Sequence, residues 1–161
     1  MAIRTIFQYD DEALHKVCRE VTDVNDRIRM LIDDLNDTMA AAQGVGLAAP
    51  QVGVLRRVCV VDLWDGENHY EMVNPKIILA EGEQYGEEGC LSVAGMCGDV
   101  KRPQHVIVSC LDRNGNAVEY EGFDLLARAF CHEIDHLDGI VYTSKCDNFR
   151  PVEYDDEEDA E

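Results

Sequence analysis

Asp124-Leu125-Leu126-Ala127-Arg128-Ala129-Phe130-Cys131-His132-Glu133-Ile134-Asp135-His136-Leu137 is the stretch whose reading decides the rest of the chain. Its apolar residues recur at helical spacing, with Leu126, Phe130, Ile134 and Leu137 making one buried stripe and Leu125, Ala129, His132 and His136 a neighbouring one. A helix from Asp124 to Leu137 would hold two imidazoles four residues apart on one face. Both could reach one divalent cation, and Glu133 would stand beside them to handle a proton. A packed helix is where a metal site needs its ligands if the geometry is to be reproducible. The pattern predicts a hydrolytic metal centre.

Working outward, Asn25 can cap an N-terminal helix whose apolar positions Ile28, Leu31, Ile32, Leu35 and Met39 recur at three and four and whose run stops at Gly44. Short strands are expected at Arg57–Leu63, Tyr70–Val73, Lys76–Ala80 and His105–Leu111. Asn114-Gly115 then turns the last of these back into Ala117–Tyr120 as a hairpin. No repeated helices separate the strands, so the expected fold is α+β, with mostly antiparallel sheets packed around the central histidine helix.

The chain has 161 residues, 46% of them hydrophobic, enough for one core. One domain is expected over 1–150, with 151–161 an acidic, disordered tail. Glu153, Asp155, Asp156, Glu157, Glu158, Asp159 and Glu161 supply seven of the 33 acids, and the net charge is −19. Such a surface repels phosphate backbones and anionic lipid, so nucleic-acid or membrane docking is not expected. Seven cysteines, an odd number, and the lack of any long uncharged apolar run point to the cytoplasm and reduced thiols. Cys18, Cys59, Cys110 and Cys131, set among apolar neighbours, read as core residues.

Two histidines leave a cation short of a protein ligand. The longer pattern with a third histidine six residues on fails, because Gly139 is followed by Tyr142 where histidine would stand. Glu153 lies past Pro151 in the acid run. Cys90, in Glu88-Gly89-Cys90-Leu91-Ser92, is better placed: Gly89 permits close backbone approach, and a thiolate completes a Cys-His-His set with a fourth position open. A nucleophilic Cys90 with His132 as its base, or an inert buried cysteine, remain as rival readings at this point.

The chain resembles the peptide deformylase family. Gly44-Val45-Gly46-Leu47-Ala48-Ala49-Pro50-Gln51, the Cys90 motif and His132-Glu133-Ile134-Asp135-His136 occur in the family's order, and the likeness runs from about Asp11 to Val141, taking in Asn74-Pro75 and Arg102. The resemblance implies that Cys90, His132 and His136 bind the metal, that Glu133 is general acid and base, and that Gln51 and the Leu91 N–H face the developing oxyanion. It further implies a substrate-binding set of Gly44, Val45, Gly46, Glu88, Leu125 and Ala129, with Glu88 close to the ligands and Arg102 in a structural ion pair. Nascent formyl-methionyl peptides are the implied substrate, and ferrous iron the implied metal, with zinc, nickel or cobalt as other occupants. Ala94 and Cys97 depart from residues usual in the family, which bears on substrate range and loop rigidity. The acid run replaces the basic C-terminal helix with which some bacterial members dock on the ribosome, so any ribosome contact is expected to be transient and the protein a monomer. A zinc endopeptidase, or a non-catalytic metal-binding module, are the competing functional classes.

Overall fold

The computed structural model describes residues 2–153. Two helices, α1 (Asp26–Ala41) and α2 (Asp124–Leu137), accompany eight strands: β1 (Gly46–Ala48), β2 (Val58–Asp62), β3 (His69–Glu81), β4 (Gln84–Cys90), β5 (Val93–Arg102), β6 (His105–Leu111), β7 (Ala117–Phe123) and β8 (Asp147–Pro151). The strands form two antiparallel sheets, in the orders β1-β2-β3-β6-β7 and β4-β5-β8. The α+β reading is thus the observed one.

β2 explains how one sheet serves two helices. Its run Val58-Cys59-Val60-Val61 is buried on both faces. Cys59 and Val61 pack with Leu126, Phe130, Ile134 and Leu137 of α2, whereas Val58 and Val60 pack with Leu31, Ile32, Leu35 and Met39 of α1. Because side chains alternate along a strand, the helices lie on opposite faces of the five-stranded sheet. α1 starts as its sequence demands, with the Asn25 side chain accepting from the Arg27 and Ile28 N–H groups at 3.1 and 3.2 Å. Cys18, Cys59, Cys110 and Cys131 are all buried thiols.

Three expectations need correction. Tyr70–Val73 and Lys76–Ala80 are one strand, β3, carried across Asn74-Pro75 by a register shift against β6 between Val73 and Lys76. Proline has no N–H to give the ladder, and the bulge removes the demand. Asn74, at φ +51°, uses its amide on both backbone groups of Val21, at 2.8 Å each. Leu125 is not on a buried stripe; it is 53% exposed in the first turn of α2. Pro151, assigned to the tail, instead pairs with Met96 in β8, and the Val152 N–H donates to Gly95 at 2.9 Å. The expected disorder of the tail concerns residues that, from 154 onward, lie outside the described ones. The second sheet and β1 had no counterpart in the sequence reading.

Candidate active site

α2 points one side at the five-stranded sheet and the other at β4. On that second side the Nε2 atoms of His132 and His136 stand 3.3 Å apart, and the Cys90 Sγ at the end of β4 is 3.3 Å from His136 Nε2. The three donor atoms all lie within 4.8 Å of one another. A tetrahedral ion with Zn–N near 2.0–2.1 Å and Zn–S near 2.3 Å spaces its ligands by about 3.3–3.6 Å, and the two 3.3 Å separations around His136 match that spacing.

The tautomer is fixed from behind. His132 Nδ1 donates to Glu88 Oε1 at 2.7 Å, which leaves its Nε2 lone pair facing Cys90 and His136. Glu88 is buried, and both of its oxygens are committed. Arg102 reaches them from Nε and Nη2 at 2.8 and 2.9 Å, and Arg128 Nη1 at 2.6 Å. Burial alone would raise the Glu88 pKa; Arg102 and then His132 overcome it and hold the carboxyl well below the usual carboxylate range. Arg102 also meets Asp135 at 2.6 Å, and Asp135 meets Lys145 at 3.0 Å. Glu88 therefore acts on His132 from behind, while its edge still contributes to the cavity wall.

Burial pulls the His132 pKa down, and the Cys90 and Glu88 side chains more than reverse it. A place that draws a proton onto His132 draws a cation for the same electrostatic reason. His136 is fully buried; burial and then His132 push its pKa well below the ordinary value, keeping the ring neutral as a metal ligand must be.

These groups open onto a cavity of about 510 Å³. Every residue expected in the site lines it except His136, which sits behind the wall. Glu133 is 3% exposed, its Oε1 has no hydrogen-bond partner among the described residues, and burial raises its pKa to about 7. Gly46 makes that carboxylate's position possible, since a Cβ there would collide with Glu133. Gly44 similarly allows Leu91 to close in, as a Cβ would come within 2.6 Å of the leucine Cδ1. Gln51 is buried between Ala48, whose N–H its Oε1 accepts at 2.9 Å, and the Cys90 motif. There its Nε2 meets Ser92 Oγ at 3.0 Å and Cys90 Sγ at 3.5 Å. Of the other lining residues, Val45 and Leu125 are half-exposed and Ala129 is buried. Tyr142, where a longer histidine pattern would have its third ligand, is buried with its ring 6.1 Å from that of His132.

Several participants escaped the sequence reading. Ser92, Met96 and Val152 carry no chemical signature. Arg128 does: it lies one turn before His132, an arginine on the ligand side of a helix, and that spacing could have marked it.

The chain matches the family model described as polypeptide deformylase over residues 3–152. It is 54% identical over 149 residues to the peptide deformylase of Acetivibrio thermocellus, a match covering 92% of this chain and 86% of that protein. It is 52% identical over 157 residues to that of Agathobacter rectalis, covering 97% and 98%. The crystal structure of a peptide deformylase from Legionella pneumophila superposes with a TM-score of 0.87 at 42% identity, over 91% of this chain and 88% of that one. That of the Ehrlichia chaffeensis peptide deformylase in complex with actinonin gives 0.88 at 38% identity, over 92% and 91%.

Proposed function

This chain belongs to the polypeptide deformylase family, and from that premise we propose how its own residues divide the work of taking the formyl group from formyl-methionyl peptides. Glu133 takes the proton of the attacking water and returns it to the leaving amine. Gln51 Nε2 and the Leu91 N–H donate to the carbonyl oxygen as it gains charge. Cys90, His132 and His136 hold the metal. When bound, a divalent cation there supplies Lewis acidity and lowers the pKa of a water toward about 7. The thiolate and two imidazoles serve zinc, iron, nickel or cobalt alike, and family membership favours ferrous iron.

The substrate backbone runs along the Gly44–Gly46 edge, while Val45, Leu125 and Ala129 receive the methionine side chain. A formyl carbon bears only hydrogen, so the space opposite it can exclude an acetyl methyl. We place the enzyme in the cytoplasm as a monomer, meeting nascent chains by transient contact.

The observation that carries this reading is the buried Glu133 carboxylate, its Oε1 without a hydrogen-bond partner among the described residues, in the same cavity wall as Cys90 and His132. Formate release from formyl-Met-Ala-Ser and acetyl-Met-Ala-Ser, by protein purified without oxygen and analysed for metal, tests it. Turnover of the formyl peptide alone is expected; equal turnover of both would overturn the assignment of the cavity.

A further inference from the structure

The turn between β2 and β3 holds an anomaly. Trp64, the chain's single tryptophan, lies in the left-handed region at φ +57°, where a bulky side chain is uncommon and costs energy. Burial does not repay that cost, because the residue is 53% exposed. Its indole Nε1–H instead spans twenty residues to donate to the Gly44 carbonyl at 2.8 Å. The turn is built to keep it there. The Trp64 N–H donates to Asp62 Oδ1 at 2.7 Å, and the Leu63 N–H donates to the Asn68 carbonyl at 3.0 Å. The Asp62 N–H donates to the Val45 carbonyl at 2.9 Å.

Two successive carbonyls of the Gly44–Gly46 edge are thus held from outside the cavity, by Trp64 and by Asp62. On the inside the same edge presses on the catalytic wall, Gly44 against Leu91 and Gly46 against Glu133. Strain at an exposed tryptophan, spent on one hydrogen bond to the cavity's glycine edge, is of the kind kept where a local geometry must be held.

We propose that Trp64 is a positioning residue for substrate binding: through the Gly44 carbonyl it fixes the Gly44–Gly46 edge at the distance from Leu91 and Glu133 that the formyl peptide requires. The inference rests on the assignment of this cavity to formyl peptides.

Trp64→Phe keeps an aromatic side chain and the backbone demand but removes the indole N–H. Its KM for formyl-Met-Ala-Ser should rise roughly three- to tenfold, with kcat within about twofold, metal content unchanged, and the melting temperature within about 2 °C. Trp64→Gly accepts the left-handed conformation without strain, so it should share the KM defect while melting no earlier than the parent protein. Unchanged KM in Trp64→Phe would overturn the proposal. So would a common fall in kcat, metal content and melting temperature, which is what a mere prop of the fold would give. Affinity for the product Met-Ala-Ser, measured by calorimetry on the parent and both variants, keeps the question separate from the reaction: if the parent protein released no formate, the functional reading would fail. Product affinity weakened about three- to tenfold would still support the role of Trp64, and equal affinity in all three would overturn it.

Discussion

α2 and β4 each deliver a metal ligand or two to the same point, yet they are built on opposite principles. α2 is held by apolar packing of Leu126, Phe130, Ile134 and Leu137 against the five-stranded sheet. β4 turns Gly86, Glu88 and Cys90 inward, none of them a large hydrophobe. Beyond its ladder with β5, what holds it is charge: Glu88 with Arg102 and Arg128, extended through Asp135 to Lys145. One region depends on area removed from water, the other on a buried ion network whose members are tolerable only together. The division suits the site, because the network that anchors β4 also orients His132, so holding the strand and setting the ligand are one act.

The largest expected effects separate the two deliveries at the metal itself. Cys90→Ala removes the only ligand from β4 and should abolish turnover with loss of metal, whereas Glu133→Ala leaves all three ligands and should keep about one ion per chain while turnover falls by a factor on the order of 10² or more. Metal analysis beside formate release distinguishes them. A Cys90→Ala protein that kept its ion would mean that α2 alone makes the site.

Next come the two anchors. Glu88→Ala strands the buried Arg102 and Arg128 and should cost about 3–5 kcal/mol in denaturant unfolding. It should also weaken metal affinity about 10- to 100-fold through the loss of the His132 partner. Phe130→Ala, on the sheet side of α2, should cost a similar ~3–5 kcal/mol as a cavity, but the folded fraction should hold metal as before in a chelator competition. Equal weakening of metal affinity in both would erase the distinction between the regions.

The same contrast explains what could be read from the residues. α2 was legible to its bounds because its burial has the helical period and its two histidines fall on one face. α1 and β6 were legible for similar reasons, through the Asn25 cap and the alternation in His105–Leu111. β4 and β5 were not, since a strand whose inward positions are Gly86, Glu88 and Cys90 shows no hydrophobic alternation, and its charges make sense only beside Arg102 and Arg128 from elsewhere. Cys90 is therefore legible through its ligand chemistry and motif order, while the strand beneath it is not. Asn74-Pro75 misled differently, since proline reads as the end of a strand and here marks a bulge inside one.

The smallest effect tests whether a charge network outside the site behaves like the buried one. Glu71 on β3 accepts from Arg113 at 2.6 and 2.8 Å, from Asn36 of α1 at 2.7 Å and from His69 at 3.3 Å, tying α1 to the five-stranded sheet. Burial raises its pKa, but Arg113, followed by His69 and Asn36, brings it from the ordinary 4.5 down to about 2. A carboxyl whose folded pKa is depressed stabilises the fold fully above its unfolded pKa, and that contribution is lost as pH falls through the folded value. The window is therefore from about pH 4.5 down to about 2, and nothing from this group changes near neutrality. Glu71→Gln keeps the shape and removes the titration. After solvent screening at this partly exposed edge it should cost about 1 kcal/mol at pH 7, with a shallower loss of stability on acidification than the parent. Glu88, buried and braced by two arginines, should show the larger penalty of the two. Denaturant unfolding of the parent protein and Glu71→Gln at several pH values across that window checks the point: parallel curves would show that the Arg113 contacts do not couple to folding, and that this network does not hold the fold as the buried one behind His132 does.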